Sequence, residues 1–142
     1  MVLHKITGEV LYDHSEETLV GANLRGMDLR GADLSELELA RVDLRDADLR
    51  GADLSGASLA GARLKRVRMN GADCSRADLS NVDLRDADAR GVNFEGAVLS
   101  AADLRGANLR WSDLRVRAMR FVRCNHRTRW PFLFDWEEAS RK

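Results

Sequence analysis

Residues 42–61 read VDLRDADLRGADLSGASLAG, and this stretch decides the fold because its leucines recur at every fifth position. Each leucine has a small or β-branched residue two places earlier, and an Asp or Ser stands between the two. In an extended chain residues two apart point to the same side, so the leucine and its small partner face inward and the polar residue faces water. An α-helix is excluded, since steps of five would spread the leucines around the whole cylinder.

The same frame continues without an insertion from Ala22 to Phe121, and the two remaining residues of each unit must turn a corner. Glycine or asparagine fills the second corner position in half of the units, which is what a type II turn with positive φ requires. A different turn type is expected at six corners with a charged residue there, namely Glu36, Arg41, Asp46, Arg66, Arg76 and Asp86.

A second period of twenty residues sets the number of corners in one circuit. The residues that follow the leucines are alike at steps of twenty, as in Arg25, Arg45, Lys65, Arg85 and Arg105. Four sides and four corners therefore close a square parallel coil. Five such coils, stacked at the strand spacing of about 4.8 Å, predict an all-β solenoid roughly 24 Å long.

The predicted core is made of the central residues of the five-residue units. It comprises Leu24, Leu29, Leu34, Leu39, Leu44, Leu49, Leu54, Leu59, Leu64, Met69, Cys74, Leu79, Leu84, Phe94, Leu99, Leu104, Leu109 and Leu114. Cys74 is interpreted as a small buried hydrophobe. The other cysteine, Cys124, falls beyond the fifth coil on a different side, so no disulfide is expected.

The A-D-L-R-G units resemble the pentapeptide-repeat proteins, whose consensus is A(D/N)LXX and whose fold is a right-handed quadrilateral β-helix. The resemblance covers about 100 of the 142 residues. It implies a rigid, non-enzymatic scaffold that contacts other proteins. An alternative that the resemblance also implies is a DNA mimic that modulates DNA gyrase and protects it from quinolones. That role needs a strongly acidic rod, whereas residues 22–121 contain 16 acidic and 17 basic residues.

Both ends of the solenoid are expected to be capped, because an open coil exposes unpaired strand edges. Residues 1–21 predict an N-terminal cap, with a hairpin around Thr7-Gly8 and a short helix from Asp13, and the segment ITGEVLYD resembles the start that precedes this family's repeats. Residues 22–121 form the repeat region, and residues 122–142 are the predicted C-terminal cap.

The C-terminal segment departs from the repeat in a definite order. Arg117 occupies an inward position, so the last side is expected to loosen. The spacing N-x-x-T-x-W-P-x-x-F-D in residues 125–135 resembles the family's closing loop, although Cys124 and Trp136 depart from its common form. We interpret this segment as an aromatic capping loop that forms a lid over the last coil through Thr128, Trp130, Pro131 and Phe134. The alternative is a dimer contact.

Several function classes are disfavoured by the sequence. No histidine occupies a position of the repeat that would bring it beside a serine or cysteine nucleophile. No catalytic site and no cofactor are therefore expected. Cys124-x-His126 offers two metal ligands where zinc needs three or four, so no metal site is expected. The 23 basic and 23 acidic residues balance, and no apolar run approaches a membrane span or a signal peptide. We expect a cytoplasmic location and no membrane association.

The third coil carries the clearest departure from the charge pattern. This coil has four cations close together, at positions where each neighbouring coil has Asp or Gly or only one cation. They are Arg63, Lys65, Arg66 and Arg68. Arg63 and Arg68 are expected to be neutralised by the aspartates above and below them, which leaves the other two as an excess. These four residues are the candidate patch for a partner protein, and the alternative is an ordinary solvated surface.

The expected partner is a protein with an acidic surface. Direct nucleic-acid binding is disfavoured because the interleaved aspartates would repel phosphates. The sequence allows a monomer or an end-to-end homodimer.

Overall fold

The computed structural model describes residues 2–5, 10–13, 18–139 and 141. Its central part is a coil in which parallel β-bridges join residues twenty apart, as in Asn23 to Asp43 and Asp43 to Arg63. Each circuit has four short sides, which we number one to four in chain order. We call residues 22–41, 42–61, 62–81, 82–101 and 102–121 coils one to five.

The named elements lie mostly at the two ends of the chain. They are β1 (Val2–Lys5), β2 (Val10–Asp13), β3 (Ala32–Asp33) and α1 (Trp136–Ala139). Strand β1 pairs antiparallel with both β2 and β3, so that the sheet order is β2-β1-β3. Within the described residues, no helix has the length and apolar character needed to cross a membrane.

Hydrogen bonds between the coils hold each side in place. On side one, Leu44 N donates to Arg63 O at 2.9 Å, and Asp43 N donates to Ala22 O at 2.9 Å. In coils two to four, each side forms a single-residue β-bridge to the coil above and to the coil below. The ladder therefore runs along the rod as rows of single bridges.

The corners share one backbone conformation regardless of residue type. Of the corner positions from Gly21 to Phe121, all but Val116 have positive φ. The expectation of a different turn type at charged corners is therefore wrong: φ is 58° at Glu36 and 63° at Asp46. The corner N–H is fixed by the ladder, since Asp46 N donates to Lys65 O at 3.1 Å, and the corner adopts positive φ despite a local cost of about 1–2 kcal/mol.

The interior of the coils is a continuous apolar core. All the side chains predicted as core are buried, with exposed fractions from 0% for most of them to 9% for Leu114. Leu19, Ala89 and Met119 are also buried. In coil four, Ala89 and Phe94 replace two leucines, so a small and a large residue roughly conserve the volume of that layer.

The N-terminal segment covers part of coil one. Strand β1 lies along side three, with His4 opposite Asp33 and Lys5 opposite Ala32. The predicted hairpin is present as the β1 and β2 pair, although its turn lies outside the described residues. The predicted helix falls largely on residues 14–17, which also lie outside them.

The last side of coil five departs from the repeat, as Arg117 predicts. The Arg117 side chain is exposed, and Val116 packs against the core. The Arg117 N–H donates to Ala97 O at 2.8 Å, a bond that residue 118 would make in the regular frame. This one-residue shift spares the guanidinium from burial without a partner charge.

A loop after coil five substitutes side-chain atoms for the missing sixth coil. Asn125 Oδ1 accepts a hydrogen bond from Gly106 N at 3.1 Å, where earlier coils supply a backbone carbonyl. Thr128 Oγ1 donates to Leu104 O at 2.9 Å and accepts from Asn125 N at 3.1 Å. Arg129 then pairs with Asn108, which shows that the loop contains one extra residue.

Aromatic side chains follow this loop. Trp130 and Phe134 pack against the core, and their ring centroids are 5.5 Å apart. Trp136 stacks on Trp130 at 6.2 Å with nearly parallel planes. Pro131 is half-buried, and Asp135 caps helix α1 by accepting a hydrogen bond from Glu138 N at 3.0 Å.

Candidate partner-binding site

On sides one and two, aspartate and arginine residues two apart form forks, in which one guanidinium donates two hydrogen bonds to one carboxylate. Arg85 shows the arrangement: its Nε lies 2.8 Å from Asp83 Oδ1, and its Nη2 lies 2.7 Å from Oδ2. The period of two places both side chains on the same outward face, which makes the fork possible. The other forks on these sides are Arg30–Asp28, Arg45–Asp43, Arg50–Asp48, Arg90–Asp88 and Arg105–Asp103.

The forks also set the protonation of the carboxylates. Hydrogen bonds from Arg45 hold the pKa of Asp43 below its ordinary value, and those from Arg85 do the same for Asp83. These carboxylates stay ionised and engaged at neutral pH. A fork therefore occupies both oxygens of its aspartate and presents little free charge of either sign.

Coil three interrupts the forks on side one. Arg63 takes the aspartate position, between Asp43 and Asp83 in the ladder, and Lys65 takes the arginine position, between Arg45 and Arg85. Among the described residues, neither Arg63 nor Lys65 has an ion-pair partner. The two cations are therefore free to engage another molecule.

The other two predicted patch residues are paired. Arg66 Nε lies 2.6 Å from Asp46 Oδ1, and its Nη2 lies 3.0 Å from Oδ2. The same carboxylate accepts a hydrogen bond from Arg25 Nε at 3.1 Å. Arg68 Nη2 lies 3.6 Å from Asp48 Oδ2 on side two.

This pairing corrects the expectation from the sequence. Arg68 lies within ion-pair distance of an aspartate, as expected. Arg63 makes no ion pair, because Asp43 and Asp83 already accept bonds from Arg45 and Arg85. The expectation for Arg63 holds only in part: the hydrogen bond from Arg45 is the main cause of the lowered pKa of Asp43, and the charge of Arg63 adds a smaller contribution. The excess charge therefore belongs to Arg63 and Lys65, whereas the sequence assigned it to Lys65 and Arg66. Ladder position alone does not show which of two nearby cations holds a carboxylate.

A depression of about 380 Å³ surrounds the two unpaired cations. We call it the third-coil groove. Five cations, Arg45, Arg63, Lys65, Arg66 and Arg85, line it together with Gly61, Ala62, Asn81 and the carboxylate of Asp83. Arg68 is not among the lining residues. The sequence missed the contribution of Arg45 and Arg85, although their recurrence twenty residues on either side of Lys65 is a signal that could have identified it.

The possible metal ligands do not converge. Within the described part of the chain, no group of three or more His, Cys, Asp or Glu side chains could hold a metal ion. His126 lies in a separate depression beside Asp86 and Arg127. Cys124 is half-buried, Cys74 is buried, and both are free thiols. Burial raises the pKa of the Cys74 thiol well above its ordinary value, which makes it unreactive.

Comparison with known proteins supports the fold described above. The family model for pentapeptide repeats matches residues 18–46, 47–86 and 77–115 in eight copies. The chain has no significant match among the curated proteins.

Two solved structures illustrate the similarity. The pentapeptide repeat protein Rfr23 from the cyanobacterium Cyanothece is 28% identical with a TM-score of 0.73, over 78% of this chain and 89% of that one. A pentapeptide repeat protein from the Arabidopsis thaliana thylakoid lumen is 34% identical with a TM-score of 0.69, over 72% of this chain and 71% of that one. Such proteins are right-handed β-helices. The chain therefore belongs to the pentapeptide-repeat family.

Proposed function

We propose that this protein is a non-enzymatic scaffold, a rigid rod of about five coils closed at both ends, that binds an acidic surface of another protein through the third-coil groove. The observation that carries this proposal is the pair of unpaired cations, Arg63 and Lys65, in a surface where most neighbouring cations are forked with aspartates. An acidic partner would supply the carboxylates that the chain itself does not supply at this place.

The rod is suited to binding because its outward faces are already ordered. Backbone hydrogen bonds fix each side to the coils above and below, and the forks hold most side chains of sides one and two. Little backbone entropy is then lost when a partner docks, and the side-chain entropy cost is confined mainly to the unpaired cations. Unpaired surface charge also accelerates association, and its effect weakens as salt rises.

A capture experiment from native extract tests this proposal. The wild-type protein is compared with the double variant Arg63→Asn and Lys65→Ser, which introduces residues that already occur at equivalent positions, as in Asn23 and Ser55. Arg50→Ser is the matched control, since it removes one cation from a fork on side two. We expect a partner to be retained by wild type and control and released from the double variant. Equal retention by all three proteins would refute the assignment of the groove.

A second candidate function is a DNA-mimicking modulator of DNA gyrase. One observation favours it: on side three, Asp33, Asp53 and Asp73 are followed by serines, so that these carboxylates form an acidic column without forks. The column ends at Asn93, and the repeat region is close to neutral. We therefore expect no inhibition in a gyrase supercoiling assay at stoichiometric protein, and strong inhibition would promote this candidate.

The oligomeric state and location are also proposals. Four apolar side chains near the C-terminal end are largely exposed: Trp111, Phe121, Phe132 and Leu133. Two rods meeting end to end would bury part of this surface, so we propose a monomer that can form an end-to-end homodimer. We propose a cytoplasmic location, which fractionation of native cells tests directly.

A further inference from the structure

We propose that the third-coil groove binds a phosphate group carried on a serine or threonine side chain of the partner. This inference rests on the proposed function, because it names the chemistry that the groove recognises. It follows from the charge balance of the groove, from the donors that are free in it, and from the carboxylates that surround it.

The net charge of the groove matches one phosphate. Arg45, Arg66 and Arg85 are each held by an aspartate, although Arg66 shares Asp46 with Arg25, so most of the charge of these three lining cations is already compensated. Arg63 and Lys65 leave about two positive charges. A phosphomonoester carries about −1.5 to −2 at neutral pH, whereas a glutamate side chain carries only one negative charge and would leave one cation unmatched.

The free donors also suit phosphate. The guanidinium of Arg63 can donate two parallel hydrogen bonds to a pair of phosphate oxygens, and the ammonium of Lys65 can donate to the third. Both side chains can turn toward a ligand because no ion pair among the described residues holds them. The forked arginines are different, since Arg45 would have to release Asp43 before it could bind.

The surroundings restrict the ligand to an isolated phosphate. Directly above and below Arg63 in the ladder stand Asp43 and Asp83, and Asp103 follows one coil further on. A nucleic-acid strand places a negative charge about every 3.4 Å, so its next phosphates would run along this column. There each aspartate is already forked with an arginine, and among the described residues of the column no unpaired cation is left to receive a second phosphate. A single phosphorylated side chain needs only the two unpaired cations.

Titration followed by two-dimensional NMR tests this inference with three probes. These are an acetylated peptide with one phosphoserine between neutral residues, the same peptide with glutamate in its place, and inorganic phosphate. We expect the phosphoserine peptide to shift the amide signals of residues 61–66 and 81–85, and to bind at least about tenfold more tightly than the glutamate peptide. The double variant Arg63→Asn and Lys65→Ser should lose at least about tenfold in affinity, and Arg50→Ser should stay within about twofold.

The inference is wrong if the shifts spread along the arginine columns, if the phosphoserine and glutamate peptides bind equally, or if the wild type and the double variant have equal affinity. If inorganic phosphate binds as tightly as the phosphoserine peptide, the groove takes free phosphate and the peptide source is wrong. Failure of the phosphate inference can be distinguished from failure of the proposed function. If a captured partner requires Arg63 and Lys65 but is still retained after phosphatase treatment, only the phosphate inference is refuted.

Discussion

Replacing Leu54 with alanine tests how the core of the rod is built. The Leu54 side chain is fully buried on side three, in the column between Leu34 and Cys74. Truncation removes buried methyl groups and leaves a cavity that stacked coils cannot easily close, which costs about 3–5 kcal/mol. Against a typical total stability of about 5–15 kcal/mol, this loss is a large and measurable fraction.

Guanidinium denaturation with a matched control measures the loss. Ser55→Ala changes the adjacent outward residue, whose N–H bond to Asp53 Oδ1 at 2.9 Å does not need the serine hydroxyl. We expect this control to lie within about 0.5 kcal/mol of the wild type. Leu54→Arg should prevent folding, since the charge would have no partner inside the coil. A Leu54→Ala variant within about 1 kcal/mol of the wild type would refute the inward assignment.

Three further predictions concern the ends of the rod and its charges. Deleting residues 130–142 should expose the last coil and cause self-association, and an unchanged elution volume in size-exclusion chromatography with unchanged stability would show that the segment is not a lid. Asn125→Ala should lower the free energy of unfolding by about 1–2 kcal/mol because Gly106 N loses its acceptor, whereas Asn125→Asp should retain most of it in the same denaturation assay. The forks depress the pKa of aspartates such as Asp43 in the folded state, so their stabilising contribution is present above the unfolded pKa of about 3.9 and is lost as pH falls through the lower folded value. The melting temperature should therefore depend little on these groups near neutral pH and should fall below about pH 4. A melting temperature that rises in acid would contradict this.

The sequence predicts most of the architecture because each position in the unit has one structural task. The period of five fixes which side chains face inward, and the period of twenty fixes which ones stack, as in Asp43 and Arg63. The sequence does not predict the corner conformation correctly. Hydrogen bonds between coils impose positive φ on residues such as Glu36 against their local preference.

The candidate site was only partly predictable for a similar reason. The third coil stands out in the sequence, but the identity of the free cations depends on competition for carboxylates. Arg45 reaches Asp43 within its own side and so leaves Arg63 unpaired, although Arg63 stands directly beside Asp43 in the ladder. Helix α1 is a further element that was not predicted, although the spacing Asp-x-x-Glu from Asp135 to Glu138 is a signal for the start of a helix.

Lysine footprinting tests most directly whether the third-coil groove is the partner-binding site. The sequence has three lysines, Lys5, Lys65 and Lys142. When they are labelled with an amine-acetylating reagent, Lys65 reports on the groove and the other two serve as internal references. The acetylation rates of the purified protein are compared in buffer and in native extract, each relative to Lys5 and Lys142. Binding at the groove predicts that the relative rate of Lys65 falls severalfold in the extract. A relative rate at Lys65 that is the same in extract and in buffer would contradict the assignment of the groove.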